Sequence, residues 1–299
     1  ENPLMPGSYD DFAGGAGSVT WDKYTNSDQT FTLDVVDDSV VELDETFSVQ
    51  LFGLDAGTIA EFDNDLVTIG TSSDTFTVID NDSASISIND ISVTENHHGH
   101  SFATLTATLN TAVDVPVTVD VDTADSTATA ADNGLSGDED YVAVDSSITF
   151  AGTAGETQTV TVQINGDNVV EATEQLLVDL SSIAASGREA DISFSDSQGV
   201  ITIENDDSAT VSIVETSTGD EDSGNRTLAV TLSNPVDINV GVDVDTADGT
   251  ATTVDSDYDA LDASLTFSNV SGAPLSQTVE VVVNADDTVE LDEALTAVL

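Results

Sequence analysis

Apolar and polar residues alternate with period two along most of the chain. From Val115 to Val121 the valines fall on one face, while Pro116, Thr118 and Asp120 fall on the other. The alternation recurs at Ile238, Val240, Val242 and Val244, and again over Thr159 to Ile164 and Thr278 to Val283. Successive strand residues point to opposite sides of a sheet, so each run predicts a strand with one buried face. Clusters of Asp, Gly, Ser and Asn separate the runs, and no long helical periodicity interrupts them. The expectation is an all-β chain of antiparallel sheets. Several short strands per ~120 residues favour sandwiches over a barrel, although period two is common to both.

An Asp-x-x-Val-Glu-x-x-Glu octet punctuates these strands at Asp38 to Glu45, Asp167 to Glu174 and Asp286 to Glu293. Its second acids, Glu42, Glu171 and Glu290, fall 129 and 119 residues apart, the spacing of a whole domain rather than of a solenoid turn. Ile79 to Ala84 matches Glu204 to Ala209, which sets junctions after Asp82 and after Asp207. The copies are therefore 1–82, 83–207 and 208–299. The middle one is expected to be whole, the first to lack its opening strands and the third its last. Asp122-Thr123-Ala124-Asp125 matches Asp245 to Asp248, and Asp140-Tyr141 before Phe150 matches Asp257-Tyr258 before Phe267. Val19-Thr20-Trp21 takes the place of that last strand in the first copy, with Trp21 as the expected core anchor. The junctions hold no Pro or Gly, so neighbouring copies are expected to abut.

Charge changes the picture most. Lys plus Arg number 3 against 58 Asp plus Glu, a formal net charge of −55, and the basic residues are Lys23, Arg188 and Arg226. Two like charges ~4 Å apart repel by about 4 kcal/mol at an effective dielectric near 20. A knot of carboxylates must then stay spread in water, take up protons or hold a cation. Much of the acidity is surface solvation, but solvation does not explain acids recurring at fixed places. Such a field repels phosphate, so no nucleic-acid partner is expected and anionic membrane surfaces are poor partners. With no cysteine there are no disulfides or thiolate sites, and no apolar run reaches the ~18 residues of a membrane span.

Other signals are weak. His97, His98 and His100 could catch zinc or nickel, but a solvated hairpin tip is the expected reading. Asp243-x-Asp245-x-x-Asp248-Gly249 has the wrong spacing for an EF-hand loop. Paired acids serve glycoside hydrolysis, yet these recur in every copy and aromatics form only 5% of the chain. No catalytic centre is expected.

Together these motifs resemble the Calx-beta domain of sodium–calcium exchangers and large surface or adhesin proteins. The match rests on Ser92-Val93-Thr94-Glu95 and Ser212-Ile213-Val214-Glu215, on Thr246 to Ala251 leading to Asp257-Tyr258, on the octets, and on Ile203-Glu204-Asn205-Asp206-Asp207. The resemblance implies tandem immunoglobulin-like antiparallel β-sandwiches with Ca2+ bound at one end. In the middle copy it implicates Glu95, Asp140, Asp167, Glu171, Asp206 and Asp207, with Glu174 beside them. In the third copy it implicates Glu215, Asp257, Asp286 and Glu290, with Glu293 alongside; in the first, Asp38, Glu42, Asp80 and Asp82. Asn205 and Asn81 replace one closing acid, Gly166 and Ala285 stand where another Asp is usual, and Ser8-Tyr9 replaces Asp-Tyr ahead of Asp10 and Asp11. Fewer acids imply weaker or fewer sites, about one or two ions per copy. Magnesium dehydrates too reluctantly for such loops, and transition metals want imidazole or thiolate that these sites are expected to lack.

The implied function is a non-catalytic, calcium-binding repeat segment of a large secreted or cell-surface protein, with the secretion signal outside this segment. Calcium would rigidify a stalk used in adhesion or cell–matrix interaction. Its partners would be calcium, the neighbouring repeats, and cell-surface or matrix ligands, with no membrane insertion. The rivals are a regulatory calcium sensor coupled to a membrane partner and an accessory segment of a large extracellular enzyme.

Overall fold

The alternating runs become strands because period-two apolar residues can bury one face only by stacking it on another sheet. A computed structural model describes residues 17–22, 27–54, 69–130, 139–215, 219–270, 272–289 and 291–299. The first copy contributes β1 (Val40–Val41), β2 (Glu45–Gln50) and β3 (Ser73–Val78). The middle copy contributes β4 (Ala84–Ile88), β5 (Ile91–Thr94), β6 (Gly99–Leu109), β7 (Ala112–Val113), β8 (Val117–Asp125), β9 (Asp145–Phe150), β10 (Glu156–Gly166), β11 (Glu174–Ala184), β12 (Ile192–Asp196) and β13 (Gln198–Glu204). The third adds β14 (Val211–Glu215), β15 (Arg226–Leu232), β16 (Val240–Ala247), β17 (Asp262–Phe267), β18 (Ser276–Val281) and β19 (Thr296–Val298). One 3-10 turn, Glu221–Ser223, is the only helical element among the described residues, and none of their helices is long and apolar enough to cross a membrane.

In the middle copy one sheet runs β10-β6-β4-β12 and the other β5-β13-β11-β8-β9. Val117, Val119 and Val121 are fully buried between them, while Asp120 and Asp122 face solvent on the same strand. Each such valine contributes roughly 1.5–3 kcal/mol. The chain crosses between sheets at Asn89 and Asp90, after β4. Asn89 Oδ1 accepts from Thr106 N in the first sheet, and Asp90 Oδ1 accepts from Val200 N in the second, at 2.5 and 2.8 Å. The crossing lets β5 run parallel to β13, with Thr94 opposite Glu204. That pairing delivers the residue after β5 to the end of β13.

The third copy builds smaller sheets, β14-β15-β18 and β17-β16-β19, around a separate core that includes Val230, Val244, Tyr258, Phe267 and Val281. In the first copy β2 pairs with β3, and Phe47 stacks on Phe76 with ring centroids 5.6 Å apart.

Adjacent copies touch through the octets. Val40 and Val41 pair in parallel with Ala112 and Val113 of the middle copy, and Asp114 N donates to Val41 O at 3.1 Å. Val41 is fully buried and belongs to the middle copy's core. The middle octet repeats the contact: Val170 bridges Val236, Val170 N donates to Pro235 O at 2.9 Å, and Asp237 N donates to Val170 O at 3.1 Å. Beside the first joint, within the middle copy, Arg188 holds Asp114, its Nε donating to Asp114 Oδ1 at 2.8 Å and its Nη2 to Asp114 Oδ2.

Two expectations fail. Trp21 is no core anchor: it is 53% exposed, lies in no strand and spends its indole N–H on Ser27 O at 3.1 Å, whereas Phe150 and Phe267 are buried. Ile238 is 63% exposed. It precedes β16, in a loop that Asn269 pins through Asp237 O and Asn239 Oδ1 at 2.9 and 3.0 Å. The turn residues on either side hold Ile238 outside the pleat.

Candidate metal centre

Four chain segments meet at one end of the middle sandwich. Glu95 follows β5, and its N–H donates to Glu204 O at 3.2 Å. Asp206 and Asp207 follow β13, Asp140 precedes the buried Tyr141, and Asp167 opens the octet between β10 and β11. Glu95 is only 5% exposed and is the one polar or charged residue in the fully buried set among the described residues. Its carboxyl is pushed up to about 7, first by burial and then by the charges of Asp167, Asp207, Asp206 and Asp140. Glu95 Oε1 and Asp207 Oδ2 are both buried without a hydrogen-bond partner. Buried acceptors left unmatched cost roughly 1–3 kcal/mol each, more when charged. A third oxygen, Glu139 Oε1, is likewise buried and unmatched.

The surrounding loops hold these acids in place. Asp167 Oδ1 accepts from Val169 N at 2.7 Å, an Asx turn that bends the chain back on itself. Asp38 makes the same turn with Val40 N at 2.8 Å and Asp286 with Thr288 N at 2.5 Å. Asp140 Oδ2 accepts from Thr129 N at 2.6 Å. The two departures in this copy acquire a physical reason. Asn205 Oδ1 accepts from Glu171 N at 3.2 Å while its Nδ2 donates to Asp207 O at 3.0 Å, a brace that an aspartate could make only in half. Gly166 packs on the Glu95–Asn96 backbone so closely that a Cβ would collide with the Asn96 carbonyl. The acids gathered here are carboxylates with unmatched buried oxygens, which fits a hard, oxygen-preferring cation.

The remaining predicted residues are placed less uniformly. Glu171 is half-buried in the octet, and Glu174 opens β11 opposite Ile203. In the first copy Asp38, Glu42, Asp80 and Asp82 line a single cleft with Asp37 and Glu45. Burial is the main cause that raises the Asp80 carboxyl, with Asp82 and Asp191 adding to it against backbone hydrogen bonds. In the third copy Glu215, Asp257 and Glu293 line one cavity with Asp220, Glu221, Asp292 and Arg226. Arg226 sits there as an internal cation and donates to the carbonyls of Gly219 and Asp220. Asp286 is not part of that lining. Glu290, Ser8, Tyr9, Asp10 and Asp11 lie outside the described residues.

Sequence reasoning missed the bracing role of Asn205, the half-buried Glu139 with its unmatched Oε1, and one further group. His97 was expected in a solvated hairpin tip and the acidic loops were expected to lack imidazole. Instead β5 and β6 belong to different sheets, and their connection returns His97 Nδ1 to 2.7 Å from Asp207 Oδ1 and 3.6 Å from Asp206 Oδ1. Its position two residues after Glu95 was the available signal.

The Calx-beta domain family model matches residues 8–82, 80–207 and 204–299. Among solved structures the chain resembles CBD12 of CALX1.2, at 18% identity over 68% of this chain and 76% of that one, with a TM-score of 0.33. The apo-form Calx CBD1 domain matches at 17% identity over 42% of this chain and 100% of that one, with a TM-score of 0.34. At such identities and scores the likeness extends to no individual site residue. No curated protein matches the sequence. The three family matches together span nearly the whole chain, and the chain belongs to the Calx-beta domain family.

Proposed function

We propose that the chain is a calcium-binding structural segment in which Ca2+ closes one end of each sandwich and stiffens the tandem array. The observation that carries this reading is Glu95: a buried carboxylate facing Asp167, Asp206, Asp207 and Asp140 with an unmatched oxygen. Calcium takes 6–8 oxygen ligands in flexible geometry at about 2.3–2.6 Å, which suits acids gathered from separate loops. In the middle copy Glu95, Asp140, Asp167, Glu171, Asp206 and Asp207 would hold the ion, with Glu174 in support. The first-copy cleft of Asp38, Glu42, Asp80 and Asp82 would act likewise. In the third copy Glu215, Asp257 and Glu293 would contribute, joined by Asp286 and Glu290 from the octet.

The joints support the stiffening. Val40 and Val41 lie between Asp38 and Glu42, and Val170 lies between Asp167 and Glu171. An ion that fixes the flanking acids therefore fixes the valine that docks on the next copy. The array is a stalk that works outside the cell, presented to cell-surface or matrix ligands. A dense negative charge with no thiol chemistry is compatible with that setting.

Thermal unfolding of the 299-residue chain in excess chelator, followed by a Ca2+ titration at fixed ionic strength, tests the reading. Ca2+ at 100 times its Kd stabilises by about 2.7 kcal/mol per site. A marked upward shift that Glu171→Ala diminishes supports the proposal. Equal stabilisation by Mg2+ or plain salt, with the variant matching the parent, overturns it. Small-angle scattering with and without Ca2+ then reads the stiffening.

A further inference from the structure

We propose that the middle copy also binds a divalent transition cation of the Zn2+ type on a mixed site formed by His97, Asp206 and Asp207. The proposal shares Asp206 and Asp207 with the calcium reading but does not require calcium to bind. One ligand atom from each of the three residues lies within 4.8 Å of the others. Nitrogen and oxygen donors at about 2.0–2.2 Å from one Zn2+ sit roughly 2.9–3.4 Å apart, depending on coordination angle. The observed 2.7 and 3.6 Å from His97 Nδ1 to Asp207 and Asp206 bracket that range, so small rotations close the site.

Burial provides a second, independent indication. The Asp207 side chain is 3% exposed, and its Oδ2 has no hydrogen-bond partner. The His97 side chain is 62% exposed, which gives the cation a path in from solvent and leaves a position for water. The backbone aims the imidazole deliberately. Asn96 at φ 79° and Gly99 at φ 88° are both left-handed, a turn that folds His97 back over the closing acids. Gly166, lacking a Cβ, leaves room for that turn.

The other two histidines are arranged differently. His100 meets Phe102 edge-on at 5.3 Å in β6, and His98 is exposed within the turn itself, with no acid partner among the ion pairs of the described residues. The three imidazoles therefore do not form one chelate, and the site selects His97 alone. Imidazole with carboxylates favours Zn2+, Co2+ or Ni2+ over Ca2+, so the shared aspartates make the two modes mutually exclusive.

Co2+ is the probe, titrated into the chelator-stripped full chain at pH 7.5 and read by its visible d–d absorption. The expected result is saturable binding in the parent and in the His98→Gln/His100→Gln double variant, at least tenfold weaker binding in His97→Gln, and displacement by Zn2+. His97→Gln should unfold at the parent's temperature in chelator, which separates loss of a ligand from loss of fold. No Co2+ binding by the parent, equal binding by His97→Gln, or loss in the double variant overturns the proposal. Excess Ca2+ should quench the Co2+ signal; coexistence at full strength of both ions overturns the shared site. If Co2+ binds through His97 while Ca2+ fails to stabilise the chain, the calcium reading falls and this one stands. If Ca2+ stabilises but Co2+ binding ignores His97, only this inference falls.

Discussion

Tyr141 donates its phenolic hydrogen to Asp125 Oδ1 at 2.6 Å. Asp125 Oδ1 also accepts from Ala130 N at 2.8 Å, so one carboxylate ties the end of β8 to the loop that carries Asp140. Tyr258 makes the same bond to Asp248 at 2.7 Å in the third copy. Burial and this hydrogen bond both raise the Tyr141 hydroxyl's pKa, so it remains a donor at any ordinary pH. The Thr-Ala-Asp and Asp-Tyr motifs are therefore two halves of one clasp, and the clasp positions the neighbouring Asp140.

Tyr141→Phe is expected to destabilise the middle copy by about 1–3 kcal/mol, because the phenyl ring keeps the packing but leaves Asp125 one donor short. Urea unfolding of parent and variant in excess chelator measures this. The calcium response should weaken as well, since Asp140 loses its anchor.

The pH dependence of the cation-free chain should report on Glu95. The folded state holds this proton to about pH 7, whereas the carboxyl's ordinary value is 4.5. Between those values the folded chain binds more protons than the unfolded one, so this group's contribution to stability falls as pH rises through the window. The whole window amounts to about 3 kcal/mol. Glu95→Gln should thus be more stable than the parent in chelator at pH 7.5, with the difference fading towards pH 4.5. In saturating Ca2+ the order should reverse, and paired melting curves across pH check both signs.

Val41→Ala should weaken the middle copy although Val41 belongs to the first, because its side chain fills the middle core. A loss of about 1–3 kcal/mol is expected from transfer and cavity terms. Val170→Ala should cost less, since Val170 is half-buried at its joint. Calorimetry that resolves the separate transitions distinguishes the two.

Asn205→Asp exchanges a brace for a ligand. Without the Nδ2 donor to Asp207 O, and with one more charge among the acids, the variant should be less stable in chelator by about 1–2 kcal/mol. It should gain more than the parent from Ca2+. Two melts per variant decide the matter: equal stability in chelator would contradict the bracing role, and a smaller calcium shift in Asn205→Asp would contradict the gain of a ligand.

The amino-acid sequence by itself determined most of the strands, most of their buried faces and the recurrence of the acidic octets. Period-two alternation and turn residues act over a few neighbours, so Val117, Val119 and Val121 announce their burial without reference to the rest of the chain. Neighbourhood between distant elements was decided only by the tertiary structure. The parallel pairing of β5 with β13 brings Glu95 beside Asp206 and Asp207, and Asn205 braces a Glu171 that lies 34 residues away. Trp21 misled because an aromatic in the right motif position reveals nothing of whether sheets close over it. His97 was passed over for the same reason: which face of a connection returns to the acids depends on two left-handed residues and a glycine opposite them. Local pattern encodes which side chains leave water; only the packed sheets decide which of them meet.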